Sequence, residues 1–438
     1  MKILMLGWEF PPFISGGLGT ACYGLTRAMG RYGAEITFVL PHPVSSEYAS
    51  HVKLASPSLI GQKISGRKLF GLEEFSTVCF RTIDSLIQPY QSDTTYDELL
   101  RQLAGEMQIQ EETIKELLNV KSLGLSANYG GNLYQEVQRY ARLAAIIARE
   151  EDFDVVHAHD WMTYPAGITI AGLTGKPLVV HIHSTEFDRS GENVNQMVYD
   201  IERQGLHYAS RVIAVSHLTK NIVVNRYGIS SEKVSVVYNA IERSGSFVDA
   251  GGPAVQKDEK IVLFLGRITM QKGPEYFLAA AKKVLEVMDN VKFVMAGSGD
   301  MVERTIEMAA EMGIGHKVLF TGFLRGDDVD KIFRMADLFV MPSVSEPFGL
   351  VPLEALRNDV PVLISKQSGV AEVLTHALKV DFWDINEMAN KIIAVLRHPP
   401  LHSTLREHGN FEVRKLSWDD AAKQCLAVYE SVLEAAVV

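Results

Sequence analysis

The stretch Pro342-Ser343-Val344-Ser345-Glu346-Pro347-Phe348-Gly349-Leu350-Val351-Pro352-Leu353-Glu354-Ala355-Leu356 decides how the chain is read. It follows Leu338-Phe339-Val340-Met341, an apolar run short and bounded enough to be a buried strand. Pro342 closes that strand, Glu346, Pro347 and Gly349 make a loop, and Pro352 is placed as the first residue of a helix. In open α/β sheets a strand, a loop and a helix start in succession is where ligands bind. Backbone N–H groups at such a start attract anions, phosphates above all. Glu346 on the loop and Glu354 in the first helical turn would repel an anion unless they face something else, such as sugar hydroxyls. For Glu354 alone, complementing the helix dipole is an equally good account.

Outward from this stretch, the second half of the chain alternates strands and helices. Lys260–Leu265 is a strand followed by Gly266-Arg267-Ile268-Thr269-Met270-Gln271-Lys272-Gly273-Pro274 and a helix to about Met288. Arg267 and Lys272 on one post-strand loop are either solvated surface charges or a phosphate-binding pair; Arg offers a planar fork and Lys a movable point charge. Val291–Met295 runs into Gly297-Ser298-Gly299-Asp300, and Val360–Ile364 into Ser368-Gly369 and another helix. Helices Ile385–Arg397, Pro400–Val413 and Trp418–Ala436 follow. Residues 242–258 are Gly/Ser-rich without core-forming pattern and read as a linker.

The first half opens in the same style. Lys2–Leu6 is a strand, Trp8 to Gly19 a loop containing Gly16-Gly17-Leu18-Gly19, Thr20 to Arg31 a helix and Glu35–Leu40 a strand. The glycines come too far past the strand for a dinucleotide fingerprint, and suit either a simple turn or a loop whose backbone approaches a diphosphate. Residues 43–130 are less legible: short apolar stretches at Val78–Phe80 and Ser85–Ile87 precede a helix-prone region, Tyr96–Leu118, expected to pack as a surface helix or to shape an acceptor site. Leu133 to Glu150 is a helix. Strands ending in His157-Ala158-His159-Asp160-Trp161 and in His181-Ile182-His183-Ser184 follow, and Arg211–Val215 and Lys233–Val237 finish the half. His-x-His on a strand puts both rings on one face. Each pair is therefore either ordinary packed histidine or part of an imidazole cluster that would serve a metal hydrolase.

Composition sets the outer bounds. A chain of 438 residues exceeds one core and calls for two domains. Apolar runs stay short of the ~20 residues that span a bilayer. The first residues read as a strand rather than a signal peptide. Cys22, Cys79 and Cys425 are few, odd in number and far apart, so neither a disulfide framework nor a zinc site is indicated and a cytoplasmic location is expected. A formal charge of −10 argues against a general nucleic-acid or anionic-membrane binder.

Four separated strings share one resemblance. Ser-Glu-Pro-Phe-Gly-Leu-Val-Pro-Leu-Glu-Ala resembles the E-x7-E signature of retaining GT-B glycosyltransferases. Glu-Phe-Pro-Pro-Phe-Ile-Ser-Gly-Gly-Leu-Gly and His-Ala-His-Asp-Trp look like the glycogen and starch synthases, and Gly-Arg-Ile-x-x-Gln-Lys-Gly is similar to their donor-diphosphate loop. The resemblance covers nearly the whole chain except 43–130. It implies two Rossmann-like domains facing across a cleft, 1–241 on the acceptor side and 259–416 for the nucleotide sugar, with helix 417–438 crossing back to the first domain.

The roles it implies are specific. Glu346 contacts the donor sugar's hydroxyls and Glu354 the ribose, while Arg267 and Lys272 bind the diphosphate. His183 meets the sugar's 6-hydroxyl. The segment through Phe323 lies along the base, and Gly16, Gly17, His159, Asp160, Phe348, Gly349 and Leu350 line the substrates. The Glu346–Glu354 pair does not read as a hydrolase acid and nucleophile, which act from opposite sides of one bond ~5–10 Å apart.

The expected activity is retaining transfer of a hexose, glucose foremost, from a nucleoside diphosphate sugar (ADP- or UDP-glucose) to an α-glucan. It is expected to use no cofactor or metal, so the His-x-His pairs are expected to hold none. One departure counts against a standard glucan synthase: Ile14 stands where that family has Lys. It keeps open the same chemistry on a lipid-linked or small-molecule sugar. A nucleotide-sugar binder or metal hydrolase that only shares the fold is the alternative of another class.

Overall fold

The computed structural model describes residues 1–10, 16–41, 78–82, 131–241 and 259–437. The linker 242–258, Ile14 and the Tyr96–Leu118 region lie outside the described residues. β1 (Lys2–Leu6), β2 (Glu35–Leu40), β3 (Val78–Thr82), β4 (Val155–His159), β5 (Leu178–Ile182), β6 (Arg211–Ala214) and β7 (Val234–Val236) form one sheet in the order 3-2-1-4-5-6-7. β8 (Lys260–Leu265), β9 (Val291–Ala296), β10 (Val318–Gly322), β11 (Leu338–Met341), β12 (Val362–Ser365) and β13 (Leu378–Val380) form a second in the order 10-9-8-11-12-13. Every pairing within these two sheets is parallel. The Val78–Phe80 stretch, read as part of an insertion, is an edge strand of the first sheet beside β2.

Crossover helices cover both faces, as parallel pairing requires. With the first sheet run α1 (Gly17–Arg31), α2 (Gly131–Glu150), α3 (Tyr164–Thr174), α4 (Glu186–Ser190), α5 (Gln196–Tyr208) and α6 (His217–Tyr227). With the second run α7 (Pro274–Leu285), α8 (Val302–Glu311), α9 (Asp327–Met335), α10 (Val351–Arg357), α11 (Val370–Val373), α12 (Ile385–Arg397) and α13 (Pro399–Val413), before α14 (Trp418–Val437) ends the chain. Among the described residues no helix is long and apolar enough to cross a membrane.

The strands read as continuous apolar runs because both faces are buried: β4, β5, β11 and β12 are buried at every position. Each sheet has two cores. One core of the first sheet joins Tyr140, Val156, Tyr164, Val180 and Tyr227. The other joins Ile3, Met5, Leu25, Met29 and Phe38 to Trp418, Ala422, Cys425 and Tyr429 of α14. The last helix therefore leaves the second sheet and packs on the first. Gly24 of α1 permits that approach: a Cβ there would lie 2.2 Å from Trp418 Cε2. Gly24→Ala is expected to lower unfolding free energy by about 1–3 kcal/mol through overpacking. Chemical denaturation measures this, and an unchanged midpoint would show that α14 yields freely.

Strand order reverses twice, between β1 and β4 and between β8 and β11. The loops leaving these strands open the crevices in which doubly wound sheets bind ligands. Glu9, Gly16, Asp160, Arg267, Lys272 and Glu346 lie on those loops, and His183 at the end of neighbouring β5.

Candidate active site

At the second reversal two loops are stitched together. After β8, Gly266 and Gly273 adopt φ of 153° and 65°, and a turn of 3-10 helix over Met270–Lys272 leads into α7 through Pro274. Val344 N–H donates to Gln271 O at 2.9 Å. A Cβ on Gly273 would sit 2.3 Å from Pro342 O, so the close approach of the two loops requires glycine there.

This packing brings Lys272 Nζ to 2.5 Å from Glu346 Oε2, with both side chains largely buried. The Glu346 backbone is pinned independently: its N–H donates to Gln367 O and its carbonyl accepts from Gly369 N–H, each at 2.9 Å. Arg267 lies on the same post-β8 loop and is partly buried. The sequence thus places a cation and a carboxylate on separate loops, and the fold makes them a pair.

Helix α10 starts at Val351, one residue before the predicted start, with Pro352 in its first turn, where a missing N–H leaves no bond unmade. Gly349 turns the chain into it at φ 104°. Gly17, at the start of α1, faces this turn from the first sheet: a Cβ on Gly17 would lie 3.7 Å from Leu350 Cδ1. The glycine loop is held by a buried carboxylate, Glu9, which accepts from Gly16 N–H at 2.8 Å and Gly19 N–H at 3.1 Å. Phe348 is buried, with its ring near that of Tyr238 and its carbonyl accepting from Val370 N–H, so its side chain belongs to the core. Phe323 is 50% exposed beneath the Arg325 guanidinium. Glu354 is partly buried, and burial raises its carboxyl above the ordinary glutamate range, with Arg357 lowering it and Asp330 raising it.

At the first reversal Asp160 carries a left-handed φ of 58° directly after β4. Its Oδ1 accepts from the backbone N–H of His183 at 2.7 Å and of Ser184 at 3.4 Å, which fixes the end of β5. Burial lifts the Asp160 carboxyl to about 7 against these hydrogen bonds. His159 Nδ1 lies 3.0 Å from His183 Nε2.

Register pairs His159 with His181 and His157 with Val179, so the two His-x-His pairs merge into one buried stack. Within it His157 Nε2, His159 Nε2 and both nitrogens of His181 have no hydrogen-bond partner. Each buried polar atom left so costs about 1–3 kcal/mol.

Contacts between the two sheets close the crevice, and sequence reading missed them. Ser345 Oγ, one residue before Glu346, donates to Asp188 Oδ1 at 2.5 Å, and Asp188 sits on α4, just beyond His183. Ser216 Oγ donates to Pro347 O at 2.6 Å. Glu372 accepts from the N–H groups of His217 and Leu218 at the start of α6, and from Tyr238 Oη. Asp188 is itself held by the capping box with Thr185. The capping pattern Thr185-x-x-Asp188 was a readable signal; the contacts across the crevice had none.

Two such sheets facing across a crevice are the GT-B architecture, and an Anabaena protein, HepE, solved with UDP-glucose shares it (TM-score 0.65, 18% identical, 98% of this chain and 100% of that one). Sucrose-phosphate synthase from Thermosynechococcus elongatus also does, at TM-score 0.71 and 19% identity over 99% of both chains. Residues 250–410 match the family of group 1 glycosyl transferases, 111–244 glycosyltransferase family 4 and 2–95 the starch synthase catalytic domain. A glycosyltransferase of Methanocaldococcus jannaschii is 30% identical over 99% of both sequences, and the glycogen synthase of Mycobacterium tuberculosis 24% identical over 85% of this chain and 80% of its own. The chain belongs to the glycosyltransferases and has the GT-B fold.

Proposed function

We propose that the protein transfers glucose from a nucleoside diphosphate glucose to an α-glucan chain, with retention at the anomeric carbon. The observation that carries this reading is the Lys272–Glu346 pair, facing the first sheet through Ser345 and Asp188. Breaking the anomeric bond leaves negative charge on the departing diphosphate and positive charge on the sugar. In this reading Arg267, Lys272 and the N–H groups at Gly349-Leu350 meet the diphosphate, a stabilisation set before the reaction begins. Glu346 and His183 orient the sugar hydroxyls, with His183 held by Asp160 and His159. Gly16 and Gly17 approach the diphosphate from the other side, Glu354 the ribose and the Phe323 segment the base. The protein's own cations supply the positive charge at the diphosphate, and the proposed transfer needs no metal there. No side chain is assigned as a covalent nucleophile; attack comes from the face the leaving phosphate departs. We place the enzyme in the cytoplasm.

Support for the glucan comes from the glycogen synthase relative and the starch synthase match over 2–95. Ile14 favours a second reading, the same transfer to a lipid-linked or small soluble sugar. Radiolabel from nucleotide glucose is expected in polymer that α-amylase digests, and Ile14→Lys is expected not to reduce it. Label found only in a lipid extract or a soluble disaccharide would establish the second reading instead.

A further inference from the structure

We propose that His157, His159 and His181 bind one divalent d-block cation, zinc foremost, in the floor of the first sheet beneath His183. One ring nitrogen from each of the three lies within 4.8 Å of the others, and all three side chains are buried. The sequence reading left an imidazole cluster open but expected no metal, because the glycosyltransferases the chain resembles use none; parallel register in β4 and β5 brings the two pairs together.

The pattern of used and bare nitrogens matches imidazole ligation. His157 Nδ1 is engaged by Tyr429 Oη at 2.5 Å, and His159 Nδ1 by His183 Nε2 at 3.0 Å. In both rings Nε2 is left without a partner, and His181 has both nitrogens bare. Metal-bound histidines almost always have the second nitrogen held by another group, which fixes the tautomer and aims the lone pair. With Nδ1–H of His157 directed at the Tyr429 oxygen and Nδ1–H of His159 at His183 Nε2, both Nε2 lone pairs are left available.

The cluster contains neither thiolate nor carboxylate, which suits zinc or its late neighbours rather than magnesium or calcium. Zinc–nitrogen bonds of about 2.0–2.1 Å require the three nitrogens to close from within 4.8 Å to about 3.4 Å of one another. The ion is placed apart from the donor diphosphate. It acts by fixing His159, and through it the tautomer of His183: with His183 Nε2 accepting, its Nδ1 carries the proton.

The test uses the untagged full-length protein. Elemental analysis after purification with zinc present is expected to return one ion per chain, and replacement by Co²⁺ a visible absorption spectrum of tetrahedral type. His157→Ala and His181→Ala are each expected to reduce bound metal to under a tenth. Tyr429→Phe should retain it with affinity weakened about tenfold, the usual effect of removing a partner of a ligating histidine. Wild-type protein that takes up neither ion overturns the proposal, whatever the variants do. So does metal that persists at one per chain in a folded His157→Ala, His181→Ala double variant, since the ion would then be held elsewhere. Loss of metal with retained binding of nucleoside diphosphate separates this site from the transfer site.

Discussion

Glu346→Ala is expected to retain less than about a tenth of wild-type transfer, a loss of at least ~1.4 kcal/mol of transition-state stabilisation. The backbone of residue 346 is held by Gln367 and Gly369 through main-chain hydrogen bonds that alanine preserves. The fold should therefore remain, and the thermal midpoint with it. What disappears is the carboxylate at 2.5 Å from Lys272, and with it the proposed grip on the sugar hydroxyls. Steady-state kinetics with nucleotide glucose decides the matter: turnover above a tenth of wild type would remove Glu346 from the reacting centre and leave it a structural partner of Lys272.

Lys272→Ala and Arg267→Ala should each weaken binding of the nucleoside diphosphate product by roughly 10- to 100-fold, the size of a lost charge-assisted hydrogen bond of ~1.5–3 kcal/mol. For Lys272 the loss has two parts. The ammonium no longer meets a phosphate oxygen, and the carboxylate it neutralised is left facing the anion. Because Lys272 and Glu346 lie on loops joined by the Val344–Gln271 hydrogen bond, the site should keep its shape. Isothermal titration measures the affinity and a melt measures the fold. Unchanged affinity in both variants would return the two cations to ordinary surface charge.

Much of this was readable before the structure because doubly buried parallel strands leave a plain trace. Leu338–Met341 is an uninterrupted apolar run and Lys260–Leu265 one after its first residue, and both occur with those bounds. β13, Leu378–Val380, is too short to stand out from loop sequence and went unread. Pro352 misplaced the start of α10 by one residue because proline fits either of the first two helical positions. Phe348, an aromatic beside a glycine in a ligand-like string, turned out to have its side chain in the core. The histidine cluster was legible only as one of two readings: alternation gives the face within one strand, whereas register between strands is set by the fold. The hydrogen bonds from Ser216 and Ser345 across the crevice were equally invisible, since they join residues more than a hundred positions apart.

The return of α14 to the first sheet has a bearing on how the chain is made. Trp418, Ala422, Cys425 and Tyr429 complete a core that otherwise comes from the first sheet and α1, with Ile3, Cys22, Leu25, Phe38, Val155 and Ile213 among its members. When the first half has been made, α1 covers part of that face, and the rest stays uncovered until α14 emerges. Domains generally fold in order as they are translated. Here the first unit cannot finish before the second, so the nascent chain carries an uncovered apolar patch beside α1 until α14 is made, in reach of chaperones and of its own unfinished copies.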